Sequence, residues 1–280
     1  MRDKSAACPL CGAITQFVLT ESLRRGSGVV FFCDNCDLGF LVGDCVDYKN
    51  YYDGEYRSTV SHQAQPAATT PQELFDAYVR YQGDRYRLLA KEYPDLRGDS
   101  SILEIGASAG QFLTHLGLTH MRRCAIELDS KCCAFMDSMG IETDANFLRQ
   151  SRFYKDKFDI VCAFQVIEHT EDPAAFLEDI RHVMGPGAMA FIEAPNLYDP
   201  LLSVWDIDEY IPFYYHRDHR FYFSEKSLKA VAEKAGFSNP RIVFTQDYNI
   251  LNTLHWVMNR GPQPTCHIGL GPARLKGKNE

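Results

Sequence analysis

The chain has 280 residues, 45% of them apolar, and a formal net charge of −8 at pH 7. That suffices for one large domain with a sizeable core and a small appendage, and the acidic balance weighs against nucleic acid or an anionic membrane surface as partner. No apolar run approaches the ~18 residues that span a bilayer. Met1-Arg2-Asp3-Lys4-Ser5 leads into cysteines without an apolar signal core, so a cytoplasmic chain is expected.

Residues 1–46 carry two C-x2-C pairs, Cys8-Pro9-Leu10-Cys11 and Cys33-Asp34-Asn35-Cys36, with 21 residues between Cys11 and Cys33. Four thiolates at that spacing suit a tetrahedral zinc ribbon, structural because no position is left open. The apolar stretch Gly28-Val29-Val30-Phe31-Phe32 suits the intervening hairpin, and Gly12 and Gly39 fall where the knuckle turns need small residues. The remaining cysteines (Cys45, Cys124, Cys132, Cys133, Cys162, Cys266) follow no ligand spacing and read as buried small residues. In this segment Arg2, Lys4, Arg24 and Arg25 stand against Asp3, Glu21, Asp34, Asp37 and Asp44, which is not a polyanion-binding surface.

Residues 47–98 read as a linker and a helical cap. The first part is tyrosine-rich and then polar, with Tyr51, Tyr52 and Tyr56 placed either to close a pocket or to form a solvated or dimer-facing patch. Residues 71–97 look helical: Pro71 fits a first turn, and Leu74, Phe75, Tyr78 and Val79 recur at helical spacing.

From Ser100 the pattern alternates strand and helix. Ser101–Ile105 reads as the first strand, Gly110–Leu116 as the opening of a helix, and 124–128 as the second strand. A helix follows over 130–139, with a short third strand near 141–143. Phe158–Ala163 is a near-continuous apolar run, as a central parallel strand requires. Asp172-Pro173 caps a helix that ends at Gly185-Pro186-Gly187, Ala188–Ala194 forms the next strand, and Ser224 caps a helix stopping at Gly236. Residues 241–245 and 251–258 are expected to form a terminal strand pair. The domain is placed at 99–260, followed by a flexible Gly- and Pro-rich tail at 261–280.

Glu104-Ile105-Gly106-Ala107-Ser108-Ala109-Gly110 sits between a strand and a helix, at the sheet edge where ligands bind. Gly106 permits a tight turn, and Gly110 lets the helix pack closely and presents free N–H groups. Ser108 fits if its backbone angles are ordinary. Glu127 lies 21 positions after Gly106 and ends the next strand, where an acidic side chain binds ribose hydroxyls. Glu104 would repel a pyrophosphate and suits a ligand with a positive amino group.

These residues, with Ala125-Ile126-Glu127-Leu128-Asp129, Phe158-Asp159-Ile160-Val161, Val166-Ile167-Glu168-His169-Thr170-Glu171-Asp172-Pro173, Gly185-Pro186-Gly187, Ala194-Pro195-Asn196 and Ala235-Gly236-Phe237, occur in an order that resembles the class I S-adenosylmethionine (SAM)-dependent methyltransferase superfamily. The resemblance covers roughly residues 95–260. It implies an α/β fold with a Rossmann-like, doubly wound seven-stranded sheet. It also implies that Glu104, Gly106 and Gly110 line the methionine end of SAM, Glu127 the ribose and Asp144 the adenine amine, with Ala107 and Leu128 also among the cofactor-binding residues. Phe164 and Gln165 would pass close to the cofactor, though core packing is the alternative for Phe164. With its zinc ribbon, the chain resembles methyltransferases of natural-product and surface-sugar pathways. That implies a small-molecule acceptor, with O-methyl transfer slightly favoured over C- or N-transfer. The alternatives are an RNA or protein methyltransferase guided by the ribbon, or a non-catalytic SAM-binding module.

His169 follows the fourth strand and suits proton abstraction near neutral pH; local packing is the alternative. The segment Pro212–Phe223 is aromatic with His and Arg. His216 and His219 are further candidate bases, and Tyr214, Tyr215 and Tyr222, with Tyr52 and Tyr56, are candidate substrate contacts. An interface loop is the plain alternative for that segment.

Overall fold

The computed structural model describes residues 4–24, 26–43, 70–246, 248 and 250–262. The N-terminal part is built from short strands: β1 (Ala6–Ala7), β2 (Ile14–Thr15), β3 (Val18–Thr20), β4 (Gly28–Cys33) and β5 (Leu38–Gly43). β4 and β5 form an antiparallel hairpin whose turn is the second cysteine pair, with Cys33 opposite Leu38.

Two helices follow, α1 (Pro71–Tyr78) and α2 (Gly83–Glu92). Thr70 begins α1 with a capping box: its hydroxyl accepts from the Glu73 N–H, and the Glu73 carboxylate accepts from the Thr70 N–H. Then come β6 (Ser101–Ile105), β7 (Arg122–Ile126), α3 (Ser130–Ser138), β8 (Glu142–Asp144), β9 (Phe158–Phe164), α4 (Pro173–Val183), β10 (Met184–Glu193), β11 (Phe221–Phe223), α5 (Glu225–Lys234) and α6 (Ile250–Asn259). Asp172 and Ser224 cap α4 and α5 as their sequences predict, and Gly236 takes φ +86° just past α5.

The central sheet has five strands in the order β10-β9-β6-β7-β8, and every pairing in it is parallel. Side chains alternate across it. Leu103, Ile105, Val161 and Ala163 face α4, whose Leu177 and Ile180 close that side. Ile102, Ala125, Ile160 and Cys162 face Leu89 of α2 and Met136 of α3. Both faces are therefore covered, which is the doubly wound arrangement.

Three expectations are corrected here. The central sheet has five strands among the described residues, not seven. Residues 241–246 join no strand, and 250–259 form α6, because Ile250, Leu254 and Val257 recur at helical spacing and Trp256 is buried against Leu201, Ile207 and Tyr210. The remaining strand, β11, leaves the central sheet and pairs antiparallel with β5, giving a second sheet in the order β11-β5-β4-β3. The stretch after Gly110 forms hydrogen-bonded turns and not a regular helix. Thr114 Oγ1 bonds back to the Gln111 carbonyl at 2.9 Å, and the Gly117 N–H donates to His115 Nδ1 at 3.3 Å.

Gly110 has φ +77°, and a Cβ there would stand 2.8 Å from Met136 Cγ. Gly110→Ala is expected to destabilise the chain by about 2–3 kcal/mol, seen as a fall in melting temperature of roughly 5–10 °C. Among the described residues no helix is long and apolar enough to cross a membrane.

Candidate active site

The carboxyl ends of the parallel strands gather the acidic residues. Glu104, near the end of β6, is 5% exposed, and its Oε2 has no hydrogen-bond partner among the described residues. Burial pushes its pKa up to about 8, with Arg85 opposing the rise and Glu127 and Glu193 adding to it. The chain then turns through left-handed angles at Gly106 (φ +74°), Ser108 (φ +54°) and Gly110. Ser108 thus departs from the ordinary angles expected of it. Glu127, buried just past β7, holds this turn: Oε2 accepts from the Ser108 N–H at 2.7 Å and Oε1 from the Asp129 N–H at 3.0 Å.

Asp144 ends β8 and accepts from the Asn146 N–H at 3.0 Å and the Arg152 N–H at 2.8 Å. Phe164 ends β9, edge-on to Phe112, with the Arg85 guanidinium 4.5 Å over its ring. Gln165 has φ +57° and donates to Glu193 Oε1 at 3.0 Å. Arg85 donates through Nε to Glu193 Oε2 at 3.0 Å and makes a second bond to Oε1. Ala107 is buried in the glycine turn and Leu128 half-buried beside Glu127. One sheet edge therefore brings together every residue expected to hold the cofactor. An unpartnered buried carboxyl, a turn of positive φ and a clamped acidic side chain on the next strand fit a ligand with a cationic amine and vicinal hydroxyls.

Residues 75–241 match the methyltransferase domain family. The chain belongs to that family. A ubiquinone biosynthesis O-methyltransferase from Parvibaculum lavamentivorans is 29% identical over 112 residues, covering 38% of this chain and 43% of that protein. A norajmaline N-methyltransferase from Rauvolfia serpentina is 27% identical over 159 residues, covering 53% and 50%. The chain spans about half the length of these relatives. The CurJ carbon methyltransferase superposes with a TM-score of 0.45 at 14% identity, over 61% of this chain and 54% of that one.

Beside this sheet edge, the methyltransferase domain buries a second polar cluster. Glu168 and His169 lie in the turn Ile167–His169 that follows β9. His169 Nδ1 donates to the Asp218 carbonyl oxygen at 2.6 Å, which leaves the Nε2 lone pair facing Glu168. The Arg220 N–H donates to the Glu168 carbonyl at 2.8 Å and so docks the segment before β11 onto this turn. That contact brings His219 to 4.7 Å from His169 and His216 to 3.7 Å from His219, ring centre to ring centre. Burial pulls His169 down to about 4 and His219 well below its usual range, and pushes Glu168 up to about 8. At pH 7 His169 and His219 are accordingly neutral. All three candidate histidines converge.

The aromatic candidates sit deeper. Tyr222 is fully buried, and its hydroxyl lies between the His216 N–H (3.0 Å) and the His216 carbonyl (3.1 Å). The Tyr214 hydroxyl donates to the Asn196 carbonyl at 2.6 Å, and Tyr215 packs edge-on to Tyr222 at 4.7 Å. These rings join Val30 and Leu197 on one face of the second sheet, opposite the face whose Phe31, Phe40, Phe221 and Phe223 pack with the central sheet. Tyr52 and Tyr56 lie outside the described residues.

At the N-terminus the sulfurs of Cys8, Cys11, Cys33 and Cys36 lie within 4.8 Å of one another. Two equivalent turns present them. The Gly12 N–H donates to the Cys8 carbonyl and the Asp37 N–H to the Cys33 carbonyl, each at 2.8 Å. Gly12 takes φ +75° as expected of a knuckle glycine, but in the second turn Asp37 (φ +58°) fills that position. Gly39 lies within β5, where a Cβ would crowd Tyr222 Cβ at 3.1 Å.

Sequence reasoning missed Arg85, Glu193 and Asp218. Glu193 carried a signal, an acidic residue closing the apolar run Ala190-Phe191-Ile192 at a strand end. Arg85 carried none, because its pairing with Glu193 spans 108 positions.

Proposed function

We propose that the chain transfers a methyl group from SAM to a small-molecule acceptor, oxygen being favoured over carbon or nitrogen. The observation that carries this reading is the Glu104 carboxyl, buried and without a partner on Oε2 among the described residues, beside a glycine turn clamped by Glu127. Glu104 would take the methionine ammonium and Glu127 the ribose hydroxyls, while Asp144 would meet the adenine amine and Ala107, Leu128, Phe164 and Gln165 would line the rest. Bound SAM supplies an electrophilic methyl on a sulfonium. The chain's part is to orient donor and acceptor in line and to take the acceptor's proton. His169 carries that proton at Nε2, with His216 and His219 beside it. Tyr214, Tyr215 and Tyr222 back the acceptor pocket as a rigid wall. Cys8, Cys11, Cys33 and Cys36 hold a structural zinc.

Incubation of the purified chain with methyl-labelled SAM and a metabolite extract, followed by mass spectrometry, is expected to yield a labelled small molecule. Absence of any labelled product, together with no calorimetric affinity for SAM or S-adenosylhomocysteine, would overturn the reading.

The raised pKa of Glu104 gives a pH signature. In the free protein at pH 7 its carboxyl is protonated, since its value is about 8. Pairing with an ammonium requires the carboxylate, so binding expels a proton, and SAM affinity is expected to rise several-fold between about pH 6 and pH 7.5. Titration calorimetry in buffers of different ionisation enthalpy measures the released proton. A pH-independent affinity would remove Glu104 from the ammonium site. Folding stability runs the other way. The unfolded carboxyl ionises first, so this group's contribution falls as pH rises from the usual carboxylate range to about 8.

A further inference from the structure

We propose that Glu168, His169 and His219 form a second metal site that takes a divalent first-row transition cation. One ligand atom from each residue lies within 4.8 Å of the others. Glu168 Oε1 stands 3.9 Å from His169 Nε2 and 3.8 Å from His219 Nε2. In a site with bonds of about 2.1 Å, neighbouring ligand atoms stand roughly 3.0–3.4 Å apart. Small side-chain rotations, about half an ångström at each ligand, close the three atoms onto one ion.

Three observations converge on a cation. Glu168 is 0% exposed, and neither carboxylate oxygen has a hydrogen-bond partner among the described residues, an arrangement that leaves buried acceptors aimed at one point. His169 Nδ1–H donates to the Asp218 carbonyl at 2.6 Å while Nε2 stands 3.9 Å from Glu168 Oε1, as in ligating histidines whose other ring nitrogen is held by a carbonyl. The side chains of His169 and His219 retain 13% and 14% exposure, which gives an ion a way in. Two imidazoles and one carboxylate suit zinc, iron, cobalt or manganese, and favour none of the large oxygen-ligated ions.

Unlike the four-cysteine cluster, this set leaves coordination positions open. An acceptor hydroxyl bound there would release its proton to solvent water more readily, as water does on zinc. The ion's role therefore rests on the methyl-transfer reading, but its binding does not. In that role His169 would hold the cation through Nε2, and the proton it carries in the metal-free site would pass to solvent.

The test titrates the untagged 280-residue chain, carrying one zinc per chain in the four-cysteine cluster, with Co2+. One further Co2+ per chain is expected, with d–d bands of nitrogen and oxygen ligation and no thiolate-to-cobalt charge-transfer band. His169→Ala and His219→Gln should each weaken that Co2+ about a hundredfold or more while the ribbon keeps its zinc. The wild-type titration decides the matter even if one variant does not fold. Absence of the further Co2+, a thiolate band accompanying it, or undiminished binding in both variants would each overturn the site. SAM affinity measured on the same sample separates the two readings. A chain that binds SAM but no further Co2+ refutes only the metal site, and one that binds the Co2+ but no SAM refutes only the cofactor assignment.

Discussion

Replacing Glu127 with alanine is expected to lower SAM affinity by about two to three orders of magnitude. The carboxylate is fixed before any ligand arrives: the Ser108 and Asp129 N–H groups hold one oxygen each, at 2.7 and 3.0 Å. Those bonds fix the carboxylate at the strand end where a ribose diol would meet it, and a hydrogen bond to a charged acceptor contributes about 1.5–3 kcal/mol. Two such bonds lost amount to roughly 3–4 kcal/mol, or a factor of several hundred. The same substitution leaves two buried N–H groups short of a partner at the head of the glycine turn. A loss of about 2 kcal/mol in stability should accompany the loss of affinity. Glu127→Gln keeps the shape and one good acceptor, so it should fold normally and lose about tenfold in affinity. Calorimetry with S-adenosylhomocysteine checks both. An alanine variant that binds like the wild type would place the ribose elsewhere.

Cys33→Ser is expected to have the larger effect on stability. The side chain joins a cluster whose four sulfurs lie within 4.8 Å, and Cys11 Sγ is 3.7 Å away. Structural zinc contributes about 10 kcal/mol or more to small modules, comparable with the whole stability of an ordinary domain, about 5–15 kcal/mol. Loss of the metal should therefore melt the β4–β5 hairpin. It should also lower the first melting transition by at least about 10 °C. A chelator competing for the same ion should reproduce the shift in the wild type. Differential scanning calorimetry with metal analysis is the measurement. A Cys33→Ser chain that retains wild-type melting would exclude a structural metal at these cysteines.

Much of this was legible locally. The glycine turn with its flanking carboxylates, the paired cysteines, and the caps at Asp172 and Ser224 each state their geometry within a few residues. What escaped depends on partners far away in the chain. Ser108 takes a left-handed angle because Glu127, 19 positions on, holds its N–H. The segment Ile250–Asn259 has a helical apolar face, but its β-branched and aromatic residues also suit a strand, and only packing against Leu201 and Tyr210 decides. Gly39 looked like a knuckle residue, whereas its need for smallness comes from Tyr222 across the sheet. The convergence of the histidines is of the same kind, since His169 and His219 meet only because Arg220 docks on Glu168.

The pairing of β11 with β5, Phe221 opposite Phe40 and Phe223 opposite Leu38, has a practical corollary. The cysteine-bearing module and the methyltransferase domain share one continuous ladder, so neither can be lifted out as a cassette. A truncation starting near residue 70 would strip the partner from Phe221, Tyr222 and Phe223, all now buried, and leave a greasy, hydrogen-bond-hungry margin prone to self-association. Chimeras that exchange acceptor preference between such enzymes should move both pieces together.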